Sequence, residues 1–207
     1  MAISRQELWE LELEQLYKER ETTEPDPDMW RWSPLELSEF DRMLAMATHQ
    51  LAGTDPIRFC EAGCGIGTKL YLAEHYHGLE AVGYEISDDY LAKALALGVD
   101  ARYMDLRESS PPWSEYDIVY TARPFKDDEV EVAWEKSVWE GMRPGAILMM
   151  AYTAVKPYSW PCHYRAPFRG VWSKPVDVRT RSIPVYDAII SRMEPHDPLV
   201  PEPGPGG

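Results

Sequence analysis

Apolar and polar positions follow two rhythms along this chain. From Ile3 onward they recur at helical spacing, with Trp9, Leu13 and Leu16 on one face. Ser4 and Glu7 form a capping-box pattern, Ile3 and Leu8 a hydrophobic staple, and the helix is expected to fade near Glu21, before Pro25 and Pro27. A second helical start follows at Trp32-Ser33-Pro34-Leu35-Glu36-Leu37. Here Ser33 is the expected cap, Pro34 the first helical residue, Glu36 the box partner and Trp32 the staple to Leu37. This helix is predicted to run to about Leu51 and stop at Gly53.

From Ile57 the rhythm changes. Short apolar runs at 57–60, 81–86, 99–106, 116–121 and 146–152 alternate with helical stretches beginning at Thr68, Asp88 and Asp128. Strands alternating with helices predict an α/β fold with a mostly parallel sheet and helices on both faces. The continuous run Ala146 to Tyr152 suits a strand buried on both faces. Ser87 is the expected cap of the helix from Asp88, and Gly98 its stop. After Tyr152, Pro157, Pro161, Pro167 and Pro175 rule out a long helix. Short strands are expected at 168–174 and 176–180, residues 184–193 fit helix or strand equally, and the Pro/Gly-rich end is expected to be disordered.

The first strand runs into Glu61-Ala62-Gly63-Cys64-Gly65-Ile66-Gly67, and a helix follows. Strand, glycine turn and helix is the layout by which α/β proteins bind nucleotide-like ligands. Its third glycine comes one residue earlier than a dinucleotide site requires, with Thr68 in the later slot, which disfavours a nucleotide-dependent oxidoreductase. Glu85 ends the next strand, eighteen residues after Gly67. Asp105 closes the third, and Met142-Arg143-Pro144-Gly145 turns into the last apolar run.

Over residues 57–152 this order of elements resembles the class I S-adenosylmethionine (SAM)-dependent methyltransferases. The resemblance implies a Rossmann-like fold, SAM as cofactor and methyl transfer as activity. It also implies roles. Glu61 would help hold the ligand's cationic amino end, and Gly63, Gly65 and Gly67 would let the backbone bend around its methionine part. Glu85 would grip the ribose diol and Ile86 would pack on adenine, while Asp105 and the backbone of Leu106 would receive the adenine edge. Thr121 joins this cofactor-binding set from the end of the fourth strand. The acceptor would dock at the following loop, where Arg123 is the candidate to bind an anionic group or else pairs with a neighbour such as Asp127. Enzymes that methylate amino groups of nucleobases or glutamine carry Asn/Asp-Pro-Pro-Tyr/Phe there. Ala122-Arg123-Pro124-Phe125 keeps only the Pro-Phe end.

The chain of 207 residues is expected to comprise an N-terminal helical extension (1–55), a SAM-binding domain with a shortened C-terminal part (56–193) and a tail (194–207). Residues 24–32 are an acidic linker or a lid over the cofactor cleft. Cys60, Cys64 and Cys162 make no disulfide framework, no paired metal-binding motif is present, and no apolar stretch is long enough for a membrane span. A cytoplasmic protein without a metal is expected.

Net charge is −14, which opposes binding to nucleic acid. The charge is uneven: residues 1–55 hold 13 acidic and 5 basic side chains, and residues 156–192 hold 7 basic and 2 acidic. The basic part also carries aromatics, as a base-stacking surface would, but packing against the acidic N-terminal part is the preferred reading, because the molecule as a whole repels polyanions. The expected acceptor is therefore a small molecule or a protein side chain. A catalytically silent SAM-binding module and a nucleic-acid amino-methyltransferase with a degenerate motif remain as alternatives.

Overall fold

The computed structural model describes residues 2–21, 34–153, 160–166 and 169–176. Its elements in chain order are α1 (Arg5–Glu21), α2 (Leu37–Gln50), β1 (Arg58–Ala62), α3 (Thr68–His77), β2 (Glu80–Glu85), α4 (Asp88–Ala96), β3 (Ala101–Tyr103), β4 (Ile118–Thr121), α5 (Asp128–Gly141), β5 (Ile147–Ala151), β6 (Cys162–Ala166) and β7 (Arg169–Ser173). The strands form one sheet in the order β3-β2-β1-β4-β5-β7-β6. The first five are parallel, and β7 runs antiparallel to both β5 and β6. This is the mostly parallel α/β sheet that the alternating rhythm predicts.

Side-chain alternation divides the core into two layers. Phe59, Ile118, Tyr120, Ile147, Met149 and Val171 face one layer, which α1, α2 and α3 fill with Leu8, Phe40, Met43, Leu44, Leu70 and Leu72. Cys60, Val119, Leu148, Met150 and Trp172 face the other, with Trp134 and Val138 of α5. All five residues of β5 are buried, as its unbroken apolar run requires.

Several element ends differ from the sequence expectation. The capping box of α1 forms, with Ser4 N–H donating to Glu7 Oε2 at 2.7 Å and Glu7 N–H to Ser4 Oγ at 3.2 Å. The buried face of α1, however, is Leu8, Glu12 and Gln15, while Trp9, Leu13 and Leu16 are only half-buried. Helix α2 begins at Leu37, so Pro34 lies before the helix rather than at its first position, and Ser33 and Trp32 lie outside the described residues. Glu36 makes no side-chain cap and instead accepts from Ser38 Oγ at 2.6 Å. β3 is shorter than expected and ends at Tyr103. β6 occupies 162–166, where no strand is expected, because it finds a partner in β7. The expected lid or linker at 24–32, the segment 177–193 and the tail 194–207 lie outside the described residues.

Candidate functional site

Strand order reverses between β1 and β4, so the crevice beyond their carboxyl ends is where this architecture receives a ligand. The glycine loop fills that edge. Gly63 N–H and Cys64 N–H both donate to the Tyr84 carbonyl, at 2.9 and 3.0 Å, which ties the loop to the end of β2. Gly63, Gly65 and Gly67 all have positive φ, the region glycine adopts without a side-chain clash. At Gly67 there is also no room: an added Cβ would stand 2.8 Å from Ala94 Cβ, so α3 and α4 approach only because it is glycine. A Cβ at Gly63 would meet nothing within 4 Å, and that open side is where a ligand can lie against the backbone.

Two carboxylates flank the loop. Glu85 is 7% exposed. Its Oε2 accepts from Gly65 N–H at 2.8 Å, and its Oε1 accepts from Ile86 and Ser87 N–H, each at 2.9 Å. Burial raises its pKa, and these three bonds oppose the rise. Glu61 lies opposite Gly83 of β2 and Tyr120 of β4 in the sheet register and is 3% exposed. Its Oε2 is sealed without a hydrogen-bond partner. Burial pushes its pKa up to about 8; Lys69 pulls it down, and Glu12 and Glu85 push it further up.

Lys69 and Glu12 are the members of this site that sequence reasoning missed. Glu12, on α1, is fully buried, and its Oε1 accepts from Thr68 Oγ1 at 2.6 Å and Lys69 Nζ at 2.7 Å. No local pattern signals this pair, because its halves are 57 residues apart.

The remaining expected site residues are more dispersed. Thr121 ends β4 with its Oγ1 buried and unpartnered. Ile86 is half-buried beside Glu85. Leu106 packs against the second core layer. Asp105 lies past β3, where Arg107 takes its carboxylate through Nε at 2.9 Å and Nη2 at 2.8 Å. Arg123 pairs with Asp128 rather than Asp127. Asp127 instead caps α5, accepting from Glu129 and Val130 N–H at 2.8 and 3.0 Å.

Arg123 and Tyr152 are the described non-glycine residues with positive φ, at 52° and 58°. They follow β4 and β5, which run side by side with Thr121 opposite Met150. Backbone strain of this kind collects at functional sites. Beneath the loop after β4, Glu131 Oε2 accepts from Phe125 N–H at 2.9 Å, and Glu135 accepts from Thr153 Oγ1 at 2.9 Å.

No protein-family model matches the chain, and no curated protein matches it. Solved structures do. An RNA methyltransferase from Salinibacter ruber, in complex with S-adenosyl-L-homocysteine, is similar with a TM-score of 0.56 at 22% identity, over 72% of this chain and 98% of that one. A SAM-dependent methyltransferase from Mesorhizobium loti is similar with a TM-score of 0.40 at 22% identity, over 51% of this chain and 50% of that one. The plantazolicin methyltransferase BpumL, in complex with S-adenosyl-L-homocysteine, gives 0.44 at 17%, over 54% and 45%. The chain thus spans about half the length of the latter two. The first likeness and the strand order show a Rossmann-like α/β fold, shared with that Salinibacter ruber methyltransferase.

Proposed function

We propose that this protein binds SAM at the glycine loop and transfers its methyl group to a small anionic molecule or a protein side chain. The observation that carries the cofactor reading is Glu61. A buried carboxylate oxygen without a donor, beside a glycine loop with an open flank, suits a ligand that brings a cationic amine. Bound SAM supplies an activated methyl and a good leaving group. The protein then has chiefly to position the acceptor.

Glu85 is the ribose ligand in this reading. A carboxylate offers about four acceptor sites, and three are already used by backbone N–H groups. A ribose diol therefore takes the free site and replaces one backbone donor. Glu85→Gln exchanges an acceptor oxygen for a donor and should weaken binding about 10- to 100-fold. Undiminished affinity in a folded variant, measured by calorimetry, removes Glu85 from this role.

The cofactor reading is tested by thermal unfolding with SAM, S-adenosylhomocysteine and NAD. At about 100 times its Kd, a ligand stabilises by about 2.7 kcal/mol, which raises Tm by roughly 5–10 °C for a chain of this size. A rise with the first two and none with NAD is expected; the reverse rejects the proposal.

The acceptor reading is supported by the strained backbone at Arg123 and Tyr152, by the cationic Arg123, and by the net charge of −14. Methyl label from SAM should enter small-molecule or protein fractions of a cell extract. Label in RNA or DNA overturns this part. A catalytically silent SAM-binding module has one observation in its favour, the Arg123–Asp128 ion pair, which holds the acceptor candidate. Binding of SAM without any transfer of label would establish that second reading.

A further inference from the structure

A buried ion pair joins Glu12 of α1 to Lys69 at the start of α3, directly after the glycine loop. We propose that α1 is part of the ligand site, and that Glu12 supplies a second carboxylate, alongside Glu61, to the pole that receives the ligand's α-ammonium group. The proposal rests on the SAM reading above.

Helix α1 is docked in a fixed register. Ile3 N–H donates to Tyr71 Oη at 2.7 Å, and Lys93 Nζ donates to Gln15 Oε1 at 2.7 Å; Tyr90 Oη donates to Glu19. The helix thereby bridges α3 and α4 across the start of the glycine loop's own helix. Its middle residue, Glu12, is fully buried and meets Thr68 and Lys69, the first two residues after the loop.

These contacts use only one oxygen. Glu12 Oε2 is buried without a donor, and so is Glu61 Oε2. An unpartnered buried acceptor is costly, and two in one cluster call for a shared donor. Charge agrees. Around Glu61, the carboxylates of Glu12 and Glu85 are set against a single cation, Lys69. An ammonium group brings three N–H donors and the missing positive charge. Burying a lysine–glutamate pair is expensive unless further hydrogen bonds complete it, and such a ligand would complete it.

The test compares S-adenosylhomocysteine, which carries the α-ammonium, with 5′-methylthioadenosine, which lacks the amino-acid part. In Glu12→Gln the side-chain carbonyl still accepts from Thr68 and Lys69, but the charge is gone. The variant should bind S-adenosylhomocysteine about 10-fold or more weakly. Its affinity for methylthioadenosine should equal that of the wild type. Unchanged or tighter binding of S-adenosylhomocysteine overturns the proposal, and so does an equal loss for both ligands. If the variant does not fold, hydrogen exchange on the wild type decides. S-adenosylhomocysteine should slow exchange across residues 5–21 more than methylthioadenosine does, and equal protection overturns the proposal. Failure of wild-type protein to bind S-adenosylhomocysteine removes the SAM reading and this inference together. Wild-type binding with an indifferent Glu12→Gln variant removes this inference alone.

Discussion

At the end of β1, burial raises the Glu61 carboxyl to a pKa of about 8 despite the nearby Lys69, so without a ligand it holds a proton at neutral pH. An ammonium ion placed beside it favours the charged form. Ligand binding at pH 6.5, where the ligand's own amine stays protonated, should therefore release close to one proton. Affinity should rise with pH over that range, because the competent form of Glu61 is the ionised one. Calorimetry in two buffers of different ionisation enthalpy checks this; identical enthalpies would mean that Glu61 does not meet the cation. Glu61 and the three loop glycines are legible from sequence because strand, turn and helix are contiguous. Glu12 and Lys69 are not, since each is an ordinary helical residue until tertiary packing brings them together. Asp105 lies after β3, as its place in the sequence suggests, and Arg107, two residues on, pairs with its carboxylate.

Among the elements, α5 carries a device that its sequence hides. Glu131 and Glu135, one turn apart, are both fully buried beneath the loop that leaves β4. Burial pushes the Glu131 carboxyl up to about 8; the Phe125 N–H opposes this, and Glu135 adds to it. Its folded pKa lies above the unfolded value, so its contribution to stability is complete below about pH 4.5 and is lost as pH rises towards 8. Glu131→Gln keeps an acceptor for Phe125 and never ionises. The variant should match the wild type near pH 5 and unfold at a higher temperature at pH 8. Parallel loss of Tm with pH in both proteins would show that Glu131 is not the group responsible. The alternating strands and the Ser87 cap of α4 are legible because each depends on neighbours in sequence. The inward face of α1 is not: Leu8, Glu12 and Gln15 are chosen by what α3 and α4 offer, against the apolar stripe of Trp9, Leu13 and Leu16.

For the molecule as a whole, α2 matters as much as any strand. Phe40 packs edge-on to Phe59 and Tyr120, at centroid distances of 6.1 and 4.9 Å, and Glu39 accepts from Arg169 Nε of β7 at 2.8 Å. One face of the sheet is therefore covered by residues that precede the first strand. A chain beginning at residue 55 should lose cooperative thermal unfolding and expose apolar surface to a hydrophobic dye. A sharp transition at the wild-type temperature would contradict this. The same arrangement bears on how the protein forms. Glu39 and Arg169 are 130 residues apart, so α2 leaves the ribosome long before β7, the strand its side chain bonds to. Non-local closure of this kind slows folding. During synthesis Phe40, Met43 and Leu44 have no finished sheet to cover, and they are ready substrates for a chaperone until the last strands arrive.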